Sequence, residues 1–398
     1  MGNLGVLFLM GPTDCNDRNI PHYSDEFLGE LSKALGRTVE CVPLEQLKKQ
    51  ELPIFFIASG GAEQGFKKAH EAVEGPYILL TTPAYNSLAA AMEIMGYLEE
   101  NGKKGEILHG DFKTIAHRIA VLERVAHARK LLRGMRLGAI GKPGGLIASE
   151  ADADKLRRAN GMELIDLDLN ELIAEYGKGG YEDNLYTRQL KATGYEPAEV
   201  EKALNVYGAA KRMVKKYNLQ AVTVKCFDLL GTIHTTGCLA LALLNAEGIP
   251  AACEGDSKSM VSMAILHALT GESSFMANPS CMDPLNSEIV FAHCTLPIDM
   301  PDSYRLTTHF ESGIGVAISG DLPAGAMTIF KCNDDLTRHY AGRALLLESM
   351  HRKDLCRTQM RLKLLDGVDY FTHGPISNHH MICKGDWKEV IDEYFASL

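Results

Sequence analysis

Short apolar runs, each followed by a helix-length segment, recur through the first three-fifths of the chain, and that alternation leaves few folds open. Leu4–Met10 precedes a helical stretch near Asp25–Leu35, and Thr38–Val42 and Ile54–Ala58 follow. Tyr77–Thr82 then leads into the strongly apolar helix Leu88–Leu98. Strands this uniformly apolar are buried on both faces, the condition of a parallel sheet with helices on either side. A long segment, Phe112–Leu132, carries Ile115, Ile119, Leu122, Ala126 and Leu131 at near-helical spacing and bridges to a second unit. There the alternation resumes with Arg136–Ile140, Glu163–Leu167, Ala221–Lys225 and Pro250–Cys253 as strands. Ala151–Asn160, the charged stretch 184–217 and Thr235–Glu247 read as helices.

After about residue 272 the character changes. Helical periodicity fades and short β-like runs appear, at Ile289–Thr295, Gly315–Ser319, Ala326–Lys331, Gln359–Leu364 and His380–Cys383, before a last amphipathic helix at Trp387–Phe395. The expected architecture is α/β: two parallel-sheet units, 1–132 and 133–255, followed by a mostly β domain, 256–398. A chain of 398 residues is too long for one simple core, which agrees with this division.

Charge narrows the partners. A net charge of -10 leaves no basic surplus to neutralise phosphates, so neither nucleic acid nor an anionic membrane is expected as a partner. No run approaches the roughly 20 apolar residues of a membrane span, and the opening residues lack the charged region, long apolar run and cleavage site of a secretory leader. The ten cysteines include no CxxC pair and read as small buried side chains rather than a disulfide framework. A cytoplasmic location is the expectation. The turns Ser59-Gly60-Gly61 and Gly141-Lys142-Pro143-Gly144-Gly145 match neither GxGxxG nor a Walker loop.

Chemistry concentrates late in the chain. The strand Pro250–Cys253 runs into Glu254-Gly255-Asp256, two carboxylates two residues apart. If the strand continued, period-two alternation would set both on one face, at the carboxyl edge of the sheet where α/β proteins bind ligands. Asp256 and Ser257 are also N-cap residues for a helix carrying Met260, Val261, Ala264, Ile265 and Leu269 and ending at Gly271, so Asp256 either caps or carries chemistry. His293 stands near the end of the apolar run Ile289–Thr295 and reads as a hydrogen-bonded core histidine or a ligand. The pair His379-His380 follows the polar turn 374–378, and neighbours on a strand face opposite ways, so at most one reaches a given site. Clustered carboxylate and imidazole suits metal-assisted or acid–base chemistry on a polar substrate.

At these residues the sequence resembles the L-fucose isomerase and L-arabinose isomerase superfamily, most specifically over Thr232–Pro301 and Gly374–Trp387. The resembling segments are Ala252-Cys253-Glu254-Gly255-Asp256, Phe275-Met276-Ala277-Asn278-Pro279, Phe291-Ala292-His293-Cys294 and Asn378-His379-His380. The resemblance implies two Rossmann-like units, a C-terminal domain of the fucose isomerase type, and assembly as a homo-oligomer, trimer or hexamer. It implies an aldose–ketose isomerase that works through an enediol on an open-chain sugar with Mn²⁺ or another divalent cation. Glu254 would be ligand and base, with His293 and His380 as ligands and His379 beside them. Asn278 stands where the family carries a second carboxylate; an amide oxygen can bind a hard cation but cannot shuttle a proton. Asp256 or Asp283 is the carboxylate that could compensate. Two other readings belong to the same scaffold: a non-catalytic carbohydrate-binding or regulatory protein, and a metal-independent lyase or epimerase.

Overall fold

The computed structural model describes residues 2–12 and 19–398, so Cys15 lies outside the described residues. The chain divides into two compact units, one up to His127 and one from Ala128.

In the first unit, β1 (Leu4–Leu9), β2 (Val39–Cys41), β3 (Ile54–Ile57), β4 (Tyr77–Thr81) and β5 (Gly105–Leu108) form one parallel sheet in the order β2-β1-β3-β4-β5. The all-apolar runs are buried throughout in β3 and β4, because both faces of the sheet are covered. Phe56, Ile78 and Leu80 pack with Phe27, Leu31, Ile115 and Ile119 on one face. Phe55, Ile57 and Leu79 pack with Phe66, Ile94 and Leu98 on the other. The helix Phe112–Leu132 crosses the division between the units.

The second unit begins with another parallel sheet. Its strands β6 (Arg136–Ile140), β7 (Glu163–Leu167), β8 (Ala221–Val224) and β9 (Ala251–Ala252) lie in the order β7-β6-β8-β9. β9 is only two residues long, and the helix Ser257–Thr270 follows it closely, with eleven of its fourteen residues buried. Asp256 caps that helix, its Oδ1 accepting from the Ser259 amide at 2.7 Å, and Gly271 ends it at φ +74°.

The helix delivers the chain into the antiparallel part of the same unit. Strands β10 (Phe275–Asp283), β11 (Glu288–His293), β14 (Gly325–Cys332), β15 (His339–Met350), β16 (Thr358–Leu364) and β17 (His380–Lys384) close into a barrel in the order β10-β11-β16-β15-β14-β17. Strands β12 (Ser303–Thr307) and β13 (Ala317–Asp321) form a separate pair. The protein is therefore mixed α/β, with parallel-sheet portions and a β-rich C-terminal portion that is a closed barrel.

Two barrel strands went unforeseen. β10 contains Asn278 and Pro279, residues unfavourable in a strand; it absorbs them with a bulge between Pro279 and Cys281 in its register with β11. β15 is twelve residues long but rich in Ala, Leu, Arg and Glu, residues of helical preference that cross-strand pairing overrides. The nine described cysteines are free thiols, six of them buried. Among the described residues no helix is long and apolar enough to cross a membrane.

Candidate metal centre

Three segments far apart in sequence meet in the second unit. The first is the turn after β9. The strand does not continue through it: Glu254 has φ +62° and Gly255 φ +70°, two successive left-handed residues that reverse the chain before Asp256. A Cβ at Gly255 would lie 3.0 Å from the Lys142 carbonyl carbon and the Pro143 nitrogen, so any other residue would have to push the loop after β6 away from the turn. The Gly255 amide donates to the Val224 carbonyl at 3.0 Å and ties the turn to β8. The expectation of Glu254 and Asp256 side by side on one strand face is thereby corrected. The turn separates the two carboxylates and aims them at opposite nitrogens of one histidine.

The other two segments are strand ends. β11 and β17 both pair with β10, one with each half of it, and the registers Asn278↔Ala292 and Ala277↔His380 bring the end of β11 and the start of β17 to the same point. His293 and His379 meet there, their rings 5.6 Å apart and nearly perpendicular.

Glu254 Oε1 lies 3.4 Å from His293 Nε2 and 3.7 Å from His379 Nε2. The ligand atoms of Glu254, His293 and His379 all fall within 4.8 Å of one another. The imidazoles are buried, while the Glu254 side chain retains 19 % exposure. Within the trio it is the carboxylate that can meet a ligand from outside. Burial by itself would raise the Glu254 pKa; the two imidazoles outweigh it and hold the carboxyl well below its ordinary value.

Behind the trio each imidazole is oriented by its other nitrogen. His379 Nδ1 is 2.9 Å from Asp256 Oδ2, and His293 Nδ1 is 2.9 Å from Thr295 Oγ1. An ionised carboxylate only accepts, so His379 Nδ1 donates and Nε2 is the nitrogen directed at Glu254. Burial raises the Asp256 pKa, yet the Lys331 charge and the bonds from His379 and Ser259 prevail and keep it well below the usual range. His379 moves the other way. Burial opposes its charged form, but Asp256 and Glu254 raise its pKa above the ordinary value.

The donor set fits a divalent cation on one further observation. His379 Nε2 is buried and makes no hydrogen bond among the described residues, an orphan nitrogen facing a carboxylate across 3.7 Å. Two imidazoles and a carboxylate, with one imidazole backed by a second carboxylate, are a recurrent metal-binding arrangement.

The remaining candidates fall elsewhere. His380 is not in the cluster. It faces away from His379, as alternation along β17 requires, with Nδ1 donating to the Asn378 carbonyl at 2.9 Å and Nε2 3.0 Å from the Tyr370 hydroxyl. Of the two histidines expected at the site, His379 joins Glu254 and His293, and His380, the one favoured as a ligand, does not. Asn278 sits where β11 and β17 converge on β10, but its Oδ1 accepts from Asn378 Nδ2 at 2.9 Å. Asp256 is fully buried, with both oxygens engaged, and supports His379 rather than facing outward. Thr295 and Lys331 were not foreseen. Lys331 had a signal, a lysine inside the apolar run Ile329-Phe330-Lys331-Cys332.

His380 gives a pH prediction. Burial lowers its pKa from 6.5 to about 3, so below 6.5 the unfolded chain takes a proton that the folded one refuses. Its contribution to stability is full above 6.5 and is lost as pH falls towards 3. That amounts to about 2–3 kcal/mol between pH 6.5 and 4.5, at about 1.4 kcal/mol per pH unit. The linkage from His379 lies above 6.5, and those of Glu254 and Asp256 lie lower. Urea denaturation across this window should show the loss, and His380→Gln should flatten it; a variant with the wild-type slope would rule out His380 as its origin.

No family model matches the chain. Curated relatives do. A sulfoquinovose isomerase of Alkalicoccus urumqiensis is 24% identical over 266 residues, covering 62% of this chain and 59% of that protein. One of Priestia aryabhattai is 23% identical over 299 residues, covering 71% and 67%. Another, of Clostridium sp. (strain MSTE9), is 27% identical over 190 residues, covering 46% and 42%. The alignment with the first of these spans about three-fifths of that relative's length. Among solved structures, D-threo-3-hydroxyaspartate dehydratase from Delftia sp. HT23 aligns at 13% identity over 97% of this chain and 84% of that one. Its TM-score of 0.15 is too low to support an argument about the fold.

Proposed function

We propose that the second unit carries an aldose–ketose isomerase site acting on an open-chain monosaccharide through an enediol. The observation that carries this is the convergence of Glu254, His293 and His379, with Glu254 the partly exposed carboxylate of the three. Relatives named for isomerising a sulfonated sugar support the reaction class, and make a sugar with an anionic substituent the first substrate to try. The L-fucose and L-arabinose isomerase superfamily is the family assignment we propose, with a trimer or hexamer as the assembly.

In this reading Glu254, ionised at neutral pH, takes the proton from the carbon next to the sugar carbonyl and returns it to the carbonyl carbon, while the hydroxyl hydrogen passes from one substrate oxygen to the other. Its Oε1 is turned to the imidazoles, and we assign the other oxygen to the proton. A divalent cation such as Mn²⁺, held by Glu254, His293 and His379, would supply Lewis-acid stabilisation for the charge that develops on the C1 and C2 oxygens. His293 and His379 present Nε2 because Thr295 and Asp256 hold their Nδ1 atoms. Asn278 cannot move a proton, so the transfer falls to one carboxylate instead of two.

The test is metal analysis of the purified protein, followed by an isomerase screen with added Mn²⁺ over pentoses, hexoses and sulfoquinovose. Conversion that is abolished by EDTA and restored by Mn²⁺ is the expected result. Sugar-dependent thermal shifts without conversion would establish a carbohydrate-binding protein instead. Turnover that survives exhaustive chelation would point to a metal-independent lyase or epimerase.

A further inference from the structure

A lysine lies buried behind the centre. Lys331, near the end of β14, is wholly buried, and its Nζ donates to Ser259 Oγ at 2.8 Å across 72 residues of sequence. Ser259 Oγ in turn lies 2.7 Å from Asp256 Oδ2, the oxygen that also faces His379 Nδ1 at 2.9 Å. The direction of this chain follows from chemistry. An ammonium has donors only, so the Ser259 oxygen accepts from it, and the serine hydrogen points to Asp256. The Ser259 amide holds the other carboxylate oxygen at 2.7 Å. With both oxygens fixed, Asp256 receives the His379 Nδ1 hydrogen in one orientation and leaves Nε2 bare towards Glu254.

We infer that Lys331 is a positioning residue for the Glu254–His293–His379 centre, acting through Ser259 and Asp256 on the orientation and tautomer of His379. A methionine would fill the same place between Phe330 and Cys332 without the cost of a buried charge. The lysine reaches Asp256 through the serine hydroxyl, whose rotation it locks. Without it the hydroxyl can turn away, Asp256 loses a donor, and the ring of His379 loses its fixed partner. Second-layer groups of this kind commonly change metal affinity 10–100-fold.

The experiment uses the full chain and two readouts, one of which rests on the metal-site reading and one of which does not. The first is the affinity for Mn²⁺ alone, measured by titration. The second is the ¹⁵N spectrum of His379 in the metal-free protein, assigned by its loss in His379→Gln. Lys331→Met and Ser259→Ala should each weaken Mn²⁺ binding about 10–100-fold and turn a single Nδ1-protonated signature into a mixture. Lys331→Met combined with Asp256→Asn should bind no more weakly than Asp256→Asn alone, because the lysine acts through that carboxylate. Unchanged Mn²⁺ affinity with an unchanged His379 spectrum would overturn the inference, as would additive losses in the double variant. A wild-type protein that does not bind Mn²⁺ would refute the metal site, and the ¹⁵N spectra of the variants would still decide the role of Lys331. If Lys331→Met does not fold, Ser259→Ala, which keeps the lysine, decides between the same two outcomes.

Discussion

Glu254→Gln should lower kcat for sugar isomerisation by roughly 10²–10⁴-fold, the range that a positioned general base contributes. The amide is nearly isosteric, so the turn between β9 and the helix Ser257–Thr270 should persist. What it loses is the charge and the ability to take a proton. The comparison is made on the substrate found by the screen, with circular dichroism to verify folding and Mn²⁺ affinity measured in parallel. A loss confined to KM would assign Glu254 to binding alone. Turnover within tenfold of the wild type would remove it from the chemistry, because no other carboxylate joins His293 and His379 in the cluster among the described residues.

Asp256→Ala should cost about 3–5 kcal/mol, the penalty for removing one partner from a buried charged pair. Three losses coincide. The Ser259 amide loses its cap, the buried Lys331 loses the charge that offsets its own, and His379 Nδ1 loses its acceptor. In a protein this large such a change lowers Tm by roughly 10 °C. Thermal denaturation at pH 7 measures it. Asp256→Asn provides the contrast, since the asparagine can still cap the helix but cannot balance Lys331. If Asp256→Ala costs no more than the ~1 kcal/mol of an ordinary N-cap, the carboxylate serves the helix alone.

How much could be read without coordinates depended on how local each signal was. Strands such as Ile54–Ile57 and Tyr77–Thr81 announce themselves, because a parallel strand covered on both faces is apolar at every position. The cap at Asp256 and the stop at Gly271 were equally plain, since capping chemistry lies within a few residues. The barrel was harder. Strands β10 and β15 exist because of partners far away in sequence, more than a hundred residues for β10 with β17, and that pairing overrides Pro279 and the helix formers of 341–348.

At the site, alternation required that His379 and His380 face opposite ways but could not say which faces Glu254; the register of β17 on β10 decides that. The turn at Glu254 escaped for a different reason. A glutamate at positive φ is uncommon, and nothing in Cys253-Glu254-Gly255 demands one until the loop after β6 is in place against Gly255.

That same turn sets function against durability at a single position. A backbone angle of +62° favours glycine over a residue with a Cβ by about 1 kcal/mol or more. Any search for a more robust version of this protein that scores backbone ease would therefore choose to replace Glu254, and would discard the carboxylate we propose as the base. Backbone strain of this kind collects at functional positions, and a stabilised variant meant to keep the proposed activity must seek its gains elsewhere.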